Sequence, residues 1–442
     1  MREDDQLVAR AEPLGVQTLQ SQIAAARRAR AKVLRSFSNA DLIAALGEAS
    51  VIWCNENSPA RLRATDALSK HLNMAAAMID KGLGYIFGAL SPGALEDLLR
   101  RECANPAALE SGLRSANGGS RRLGGPAVIF YSLAGNVPGL GIPVVAVSLL
   151  ARSACVIRES SRQPSLTSAF VETLSRCNRD MAAMVVATSW EAGDPGYEST
   201  VMSAAERVEL FGSDSTLERI AARHRGRSVI AHGSRVSIGL VPIGSDTDRW
   251  TRAFAEDVAM YEGRGCLSPH VIIVEGAATR ASRMARGLSV ELARLHRLWP
   301  RGDQGIEMET RRRGFAGRAE LSAAQHDDEL LLRNRDDAWI VHLDPRARIE
   351  AGPGLRCVKV LPVRDRAATL GALREARLPI AAVGLALGDD ELAFEEHAHE
   401  LRDEGVTLVC RPGQMQAPPL SWAQDGGRRL GDLLEWYEES DI

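Results

Sequence analysis

Lysine is almost missing from this chain. Only Lys32, Lys70, Lys81 and Lys359 occur among 442 residues, and every other basic side chain apart from histidine is an arginine. The net charge is −3, so no basic excess exists to grip a phosphate backbone, which sets aside a general nucleic-acid binder. The apolar run GLGIPVVAVSLLA (139–151) is cut by Pro143 and falls short of the ~20 residues that a membrane helix needs, so membrane insertion is not expected. The N-terminus, MREDDQLVAR, lacks a basic segment followed by an apolar one, so the expectation is a cytoplasmic protein without a signal peptide. Paired cysteines are missing as well. Cys54, Cys103, Cys155, Cys177, Cys266, Cys357 and Cys410 are odd in number, scattered and without a CxxC spacing. Neither a disulfide framework nor a zinc site follows, and no metal is expected; reduced thiols are, with one free for chemistry. Fixed-period repeats, low-complexity tracts and a GxGxxG fingerprint are also missing.

What is present is enough apolar sequence, 45% of the chain, for two or three domains with real cores. From about Val16 to Cys103 the pattern is helical, and Ser91-Pro92 reads as an N-cap with proline at the first helical position. After Asn117-Gly118-Gly119 short β-branched runs alternate with helical stretches: PAVIFYS, IPVVAVSLL, ACVIRE, SLTSAFVETLSRC, then AAMVVATSW, ERVELFG, STLERIAARH and RSVIAHG. That alternation predicts a parallel sheet with crossover helices. An amphipathic helix over 245–260 leads to a second such set, HVIIVEG through VTLVC, with a pattern-poor, loop-rich stretch expected over 301–336. The fold class is therefore α/β, two Rossmann-like open domains after a helical N-terminal region, with ligands expected at strand carboxyl ends.

Four short stretches can carry chemistry. In YEGRGCLSPH (261–270), Cys266 follows Gly263, Arg264 and Gly265 and precedes Pro269-His270, which open a strand. Glycines allow a substrate to approach a thiol, and a cationic neighbour favours thiolate; the alternative is a small residue buried in a turn. In AGNVPGLGIP (134–143), Asn136 follows a strand and can donate an amide N–H to a developing oxyanion, or simply tolerate an unusual turn. In CVIRESSRQP (155–164), Arg158, Ser160 and Ser161 sit between strand and helix, suited to a ribose and its 2′-phosphate or to an ordinary helix cap. In LFGSDS (210–215), Gly212 and Ser213 place backbone N–H groups at a helix start, where a pyrophosphate binds well.

The order and spacing of these elements resemble the aldehyde dehydrogenase superfamily, and within it the long-chain acyl-CoA reductase group, the LuxC-type fatty-acid reductases. AGNVPG and the ending GQMQAPPLSWAQDGGRRLGDLLEWYE (413–438), read with a closing helix, carry the closer likeness, which covers roughly residues 120–440. The resemblance implies an aldehyde dehydrogenase-like architecture: residues 1–245 as the helical region plus a cofactor domain, 246–411 as a catalytic domain, and 412–442 as a tail returning to the cofactor domain. It also implies that Cys266 attacks an acyl thioester, that the Asn136 amide and the backbone N–H of Cys266 hold the oxyanion, and that a nicotinamide hydride releases an aldehyde. Arg158, Ser160, Ser161, Gly212 and Ser213 become cofactor contacts. Acyl-CoA or an acyl carrier protein is the expected donor, and pairing of subunits is common in this superfamily.

Two departures from the superfamily pattern matter. The glutamate that activates hydrolytic water in oxidative members aligns with Ala231 in VIAHGSR, or with His232 one residue on, so no carboxylate is expected there. Loss of that base favours thioester reduction over acid formation, with His232 a candidate general acid. The ribose-binding lysine is replaced by Arg158 and no acidic residue obviously awaits the ribose 2′-OH, Glu159 excepted, so NADPH is expected in preference to NADH. The arginine runs ARRARAK (26–32) and RRRGFAGR (311–318) can meet donor phosphates or an acidic carrier, or be solvated faces. Two rival readings stand beside the reductase: a CoA-acylating or oxidative aldehyde dehydrogenase, and an acyltransferase or acyl-binding protein without nicotinamide chemistry.

Overall fold

Five helices open the chain in a computed structural model that describes residues 14–111, 113–114, 120–160, 164–191, 193–223 and 229–439: Val16–Ser36, Asn39–Cys54, Pro59–Leu72, Ala76–Gly88 and Pro92–Glu102. Local rules start them. Ser38 and Asp41 form a reciprocal capping box, and Ser91 accepts from the Ala94 N–H with Pro92 at the first helical position. The chain divides into two compact units, one made of 1–71, 83–233 and 419–442, the other of 72–82 and 234–418.

In the first unit, β1 (Leu113–Arg114) pairs antiparallel with β2 (Ser120–Gly124). β3 (Val128–Ser132), β4 (Ala154–Glu159), β5 (Val185–Ser189), β6 (Arg207–Phe211) and β7 (Val229–His232) form an all-parallel sheet in the order β5-β4-β3-β6-β7. Val128, Ile129, Phe130 and Tyr131 are buried in succession, as a central strand covered on both faces requires. Strand order reverses between β3 and β6, and in an open sheet the carboxyl ends at such a reversal form the ligand crevice.

The second unit holds β8 (Val236–Val241), β9 (Pro269–Glu275), β10 (Leu330–Arg333), β11 (Ile340–Leu343), β12 (Cys357–Val363), β13 (Ile380–Leu385) and β14 (Leu408–Cys410), ordered β10-β11-β12-β9-β8-β13-β14. Only β10 runs antiparallel to its neighbour, β11. Ile238, Leu240, Val271, Ile273, Val383 and Leu385 build the core beneath Phe394, Ala398 and Leu401 of helix Glu391–Asp403. The segment 72–82 packs here because Lys81 pairs with Glu256, and Gln304 Nε2 donates to the Asn73 carbonyl at 2.7 Å. β15 (Glu435–Glu439) belongs to the first unit and pairs antiparallel with β2.

The fold differs from the sequence reading in three places. The units part at Gly233/Ser234 and not at 245/246, because β8 pairs with β9 and β13 inside the second sheet. The stretch 301–336 is not loop-rich: it contains the 20-residue helix Ile306–Gln325 and β10. Its periodicity was hidden because few of its residues are buried and one of those is the charged Arg312, paired with Glu309, while Arg311 and Glu307 pair on the exposed face. The closing helix is a strand, β15, in which Trp436 and Tyr437 follow their β-preference and Arg121 lies over the Trp436 ring at 5.5 Å. In the run 26–32, Arg30 donates to the carbonyls of Arg152 and Gly125, while Arg27 and Lys32 stay about half exposed on a solvated face, Lys32 paired with Asp180. Among the described residues no helix is long and apolar enough to cross a membrane.

Candidate active site

Cys266 lies in the second unit, on the turn that leads into β9. Ser268 N–H donates to the Gly265 carbonyl at 3.1 Å, which closes a four-residue turn with Cys266 at its second position. Ser237 Oγ donates to the Cys266 carbonyl at 2.7 Å and anchors the turn to β8. Gly265 and Leu267 are buried while Cys266 is exposed, so the chain is fixed on both sides of an accessible thiol. Burial pushes the thiols of Cys155 and Cys357 up to about 12 and raises those of Cys103, Cys177 and Cys410, which keeps them protonated. Cys54 is the other exposed thiol, at the end of a helix.

A buried carboxyl lies in the same unit. Asp257 accepts from the Gly413 N–H at 2.6 Å, and burial raises its pKa to about 7. Gln416, from the Met-Gln motif, donates its Nε2 to the Asp257 carbonyl and to Ser268 Oγ, two residues after the thiol. Sequence reasoning had matched this motif to a family without finding what it does: it ties the tail of β14 to the cysteine turn.

The remaining candidates collect at the carboxyl edge of the five-stranded sheet in the first unit. Asn136 stands in the loop between β3 and helix Gly141–Leu150. That loop runs close to the end of β4: a Cβ on Gly135 would meet Ser160 Cβ and Oγ at 2.5 Å, so only glycine fits. Arg158 donates Nε to the Trp190 carbonyl at 3.1 Å and Nη1 to Ser132 Oγ at 3.2 Å, and burial lowers its pKa. Glu159 is turned inward and accepts from Ser165 Oγ and from Thr167 Oγ1 at 2.5 Å. Gly212 at the end of β6 faces open space, since a Cβ there would touch nothing nearer than Thr216 at 4.0 Å. Ser213 Oγ lies 3.0 Å from Thr216 Oγ1 at the start of helix Asp214–Arg223. Ser161 lies outside the described residues.

An open glycine, a helix start and a partly committed arginine at one sheet edge fit a dinucleotide: backbone N–H groups suit its pyrophosphate and the guanidinium a ribose phosphate. Glu159, the carboxylate next to Arg158, is engaged with helix Leu166–Cys177.

His232 ends β7 at the same edge and stacks on Phe211, ring centroids 4.2 Å apart. Its Nδ1 lies 2.5 Å from Asp425 Oδ2 and its Nε2 3.8 Å from Glu209 Oε2. Burial alone would lower its pKa, yet the two carboxylates hold it above the usual imidazole range. The expectation of no carboxylate at this place needs correcting, because Glu209 and Asp425 both reach it. A cavity of about 120 Å³ opens here, lined by Tyr131, Arg207, Phe211, His232, Asp425 and Arg429 among others. Sequence reading missed Asp425, which comes from 193 residues away; the Asp-Gly pair at 425–426, both at positive φ (61° and 83°), was its only local signal.

Comparison with known proteins places this geometry. A family model described as acyl-CoA reductase (LuxC) matches residues 35–436. Long-chain acyl-protein thioester reductase 2 of Photobacterium leiognathi is 20% identical over 315 residues, 69% of this chain and 62% of that protein. Long-chain acyl-protein thioester reductase of Aliivibrio fischeri is 22% identical over 244 residues, 54% of this chain and 49% of that protein. The chain thus spans about half to three-fifths of the length of the curated relatives it matches. Among solved structures, an NAD-dependent benzaldehyde dehydrogenase from Corynebacterium glutamicum aligns with TM-score 0.72 at 15% identity, covering 99% of this chain and 92% of that one. A Mycobacterium tuberculosis aldehyde dehydrogenase complexed with NAD+ gives 0.73 at 13%, covering 97% and 90%. These structures show the aldehyde dehydrogenase fold, and the match along nearly the whole length shows that the chain belongs to the acyl-CoA reductase (LuxC) family.

Proposed function

We propose that this protein reduces an acyl thioester to an aldehyde through a covalent acyl group on Cys266. The observation that carries the reading is the exposed Cys266 thiol on a pinned turn, in a chain whose family model is that of an acyl-CoA reductase. In this reading the Cys266 thiolate attacks the thioester carbonyl, and the amide of Asn136 and the Cys266 backbone N–H receive the developing oxyanion. Collapse forms the enzyme thioester and expels the donor thiolate, which takes a proton from His232. The dinucleotide, when bound, supplies a hydride to the acyl carbon. Collapse of the resulting tetrahedral centre breaks the C–S bond, returns the Cys266 thiolate and releases the aldehyde.

Arg158, Ser160, Ser161, Gly212 and Ser213 are the proposed dinucleotide contacts, and the inward-turned Glu159 supports NADPH in preference to NADH. The names of the relatives, acyl-protein thioester reductases, support a protein-bound acyl donor beside acyl-CoA. His232, when its ring is neutral and oriented by the Asp425 carboxylate, is able to activate water, which is the observation favouring an oxidative aldehyde dehydrogenase as second reading. The raised pKa of His232 favours the acid role instead.

The test incubates wild type and Cys266→Ala with acyl-CoAs and acyl carrier protein, each with NADPH or NADH, following cofactor absorbance and trapping aldehyde. Acyl-dependent cofactor oxidation with trapped aldehyde, lost in the variant, is expected. Oxidation of free aldehyde to acid at a higher rate would overturn the reading in favour of the dehydrogenase, and acylated Cys266 without turnover would favour an acyltransferase.

A further inference from the structure

Three consecutive residues just before the cysteine turn, Tyr261, Glu262 and Gly263, have φ of 51°, 56° and 64°. Three more, Gly354, Leu355 and Arg356, have φ of 71°, 54° and 59°, just ahead of β12. Four of these six residues carry side chains that disfavour the left-handed region. The two stretches lie against each other within the second unit. A Cβ on Gly354 would meet the Gly263 carbonyl oxygen at 2.8 Å, and Leu355 N–H donates to the Glu262 carbonyl at 2.6 Å.

A fully buried ion pair joins them. Arg356 Nε donates to Glu262 Oε2 at 2.9 Å and Nη2 to Oε1 at 2.7 Å, and Nη2 also reaches the Trp299 carbonyl at 2.8 Å. Both side chains are 0% exposed. Tyr261 is fixed from another side, since its ring lies so close to Gly82 that a Cβ there would meet Oη at 2.4 Å. Taking two charges out of water and holding four side-chain-bearing residues in a disfavoured region both cost free energy, so net stability is a weak reason for this arrangement. What it secures is geometry: the exit direction of the chain at Gly263, three residues before Cys266.

We propose that Arg356 is a positioning residue for the nucleophile, acting through Glu262 to hold the left-handed turn that presents Cys266. The proposal rests on the reading of Cys266 as the nucleophile. Arg356 has no contact with the thiol; it sets the direction in which the turn emerges, and Ser237 then pins the turn from β8.

The test uses the full chain with Glu262→Gln/Arg356→Met, which removes both charges together and leaves no buried charge uncompensated, beside Gly354→Ala, which keeps the pair but presses on the Gly263 carbonyl. Thermal midpoint, the rate of Cys266 acylation by an acyl-CoA, and the rates of iodoacetamide labelling at Cys266 and at the exposed Cys54 are measured by mass spectrometry of the same samples. Folded variants with Cys266 acylation slowed at least tenfold, Cys266 labelling changed at least threefold and Cys54 labelling unchanged are expected. A folded variant whose Cys266 is acylated and labelled at wild-type rates overturns the proposal. If the double variant does not fold, Gly354→Ala decides by the same criteria. If wild-type Cys266 is never acylated, the nucleophile reading fails, and the labelling ratio of Cys266 to Cys54 still decides whether the pair positions the turn.

Discussion

His232 and Asp425 meet at 2.5 Å through Nδ1 and Oδ2, although 193 residues separate them. The carboxylate fixes the ring with its Nδ1–H inward and stabilises the protonated form. A general acid works only while protonated, so activity falls as pH rises through its pKa in the folded protein. That pKa lies above the usual imidazole range in the wild type. Asp425→Asn removes the negative charge and lowers it, so the alkaline limb of the kcat/KM profile for thioester reduction moves to lower pH, with about tenfold lost for each pH unit by which the working pH exceeds the new pKa. A limb that stays in place on substitution means His232 is not the acid.

Under the proposed function, cofactor choice turns on Arg158. Two of its nitrogens are committed, to Trp190 and Ser132, while Nη2 has no hydrogen bond among the described residues. If Nη2 receives a ribose 2′-phosphate, Arg158→Leu removes a charged hydrogen bond of about 1.5–3 kcal/mol, a rise in KM for NADPH of roughly 10- to 100-fold. KM for NADH stays within about threefold. Steady-state kinetics with both cofactors give the ratio, and equal rises for both place Arg158 in the support of the sheet edge.

Asp257 offers a prediction about stability and pH. Its pKa rises to about 7 from 3.8, chiefly through burial, so the native state keeps a proton that the unfolded chain has lost. The contribution is full below about pH 4 and disappears as pH climbs through about 7, falling by on the order of 1 kcal/mol per pH unit between them. Asp257→Asn retains an acceptor for the Gly413 N–H and does not titrate. Urea denaturation of both proteins is expected to show similar stability at about pH 4 and a more stable variant at pH 8. An equal offset at the two pH values contradicts the assignment.

Much of this was legible in the sequence, for reasons that particular residues show. Alternating β-branched runs announced both parallel sheets because central strands such as Val128–Ser132 are buried on both faces and hold little but apolar side chains. YEGRGC marked the turn that carries Cys266, where the backbone takes the left-handed region at Gly263, with φ of 64°. Helix Ile306–Gln325 was not legible, since one of its few buried positions holds a charged residue, Arg312, ion-paired with Glu309. The partners of His232 and Glu262 were not legible either. Asp425 and Arg356 arrive by tertiary folding from 193 and 94 residues away, and no local periodicity encodes such a meeting.

Close packing at the carboxyl edge of the five-stranded sheet carries a further prediction. A Cβ on Gly135 would meet Ser160 Cβ and Oγ at 2.5 Å, far inside contact distance, so Gly135→Ala must displace either the end of β4 or the loop that carries Asn136 one residue later. Cys266 belongs to the second unit, where Ser237 pins its turn. If Ser160 contacts the dinucleotide and Asn136 the oxyanion, both functions weaken together: the cofactor binds about tenfold less tightly and acylation of Cys266 slows by at least as much, of the size a misplacement near 1 Å produces. Iodoacetamide labelling of Cys266 stays at the wild-type rate, because the thiol itself is undisturbed. Calorimetric titration of the cofactor, an acylation time course and the labelling rate read the three quantities on one preparation. Unchanged cofactor affinity with slowed acylation would leave Asn136 in the reaction and take Ser160 out of the dinucleotide site.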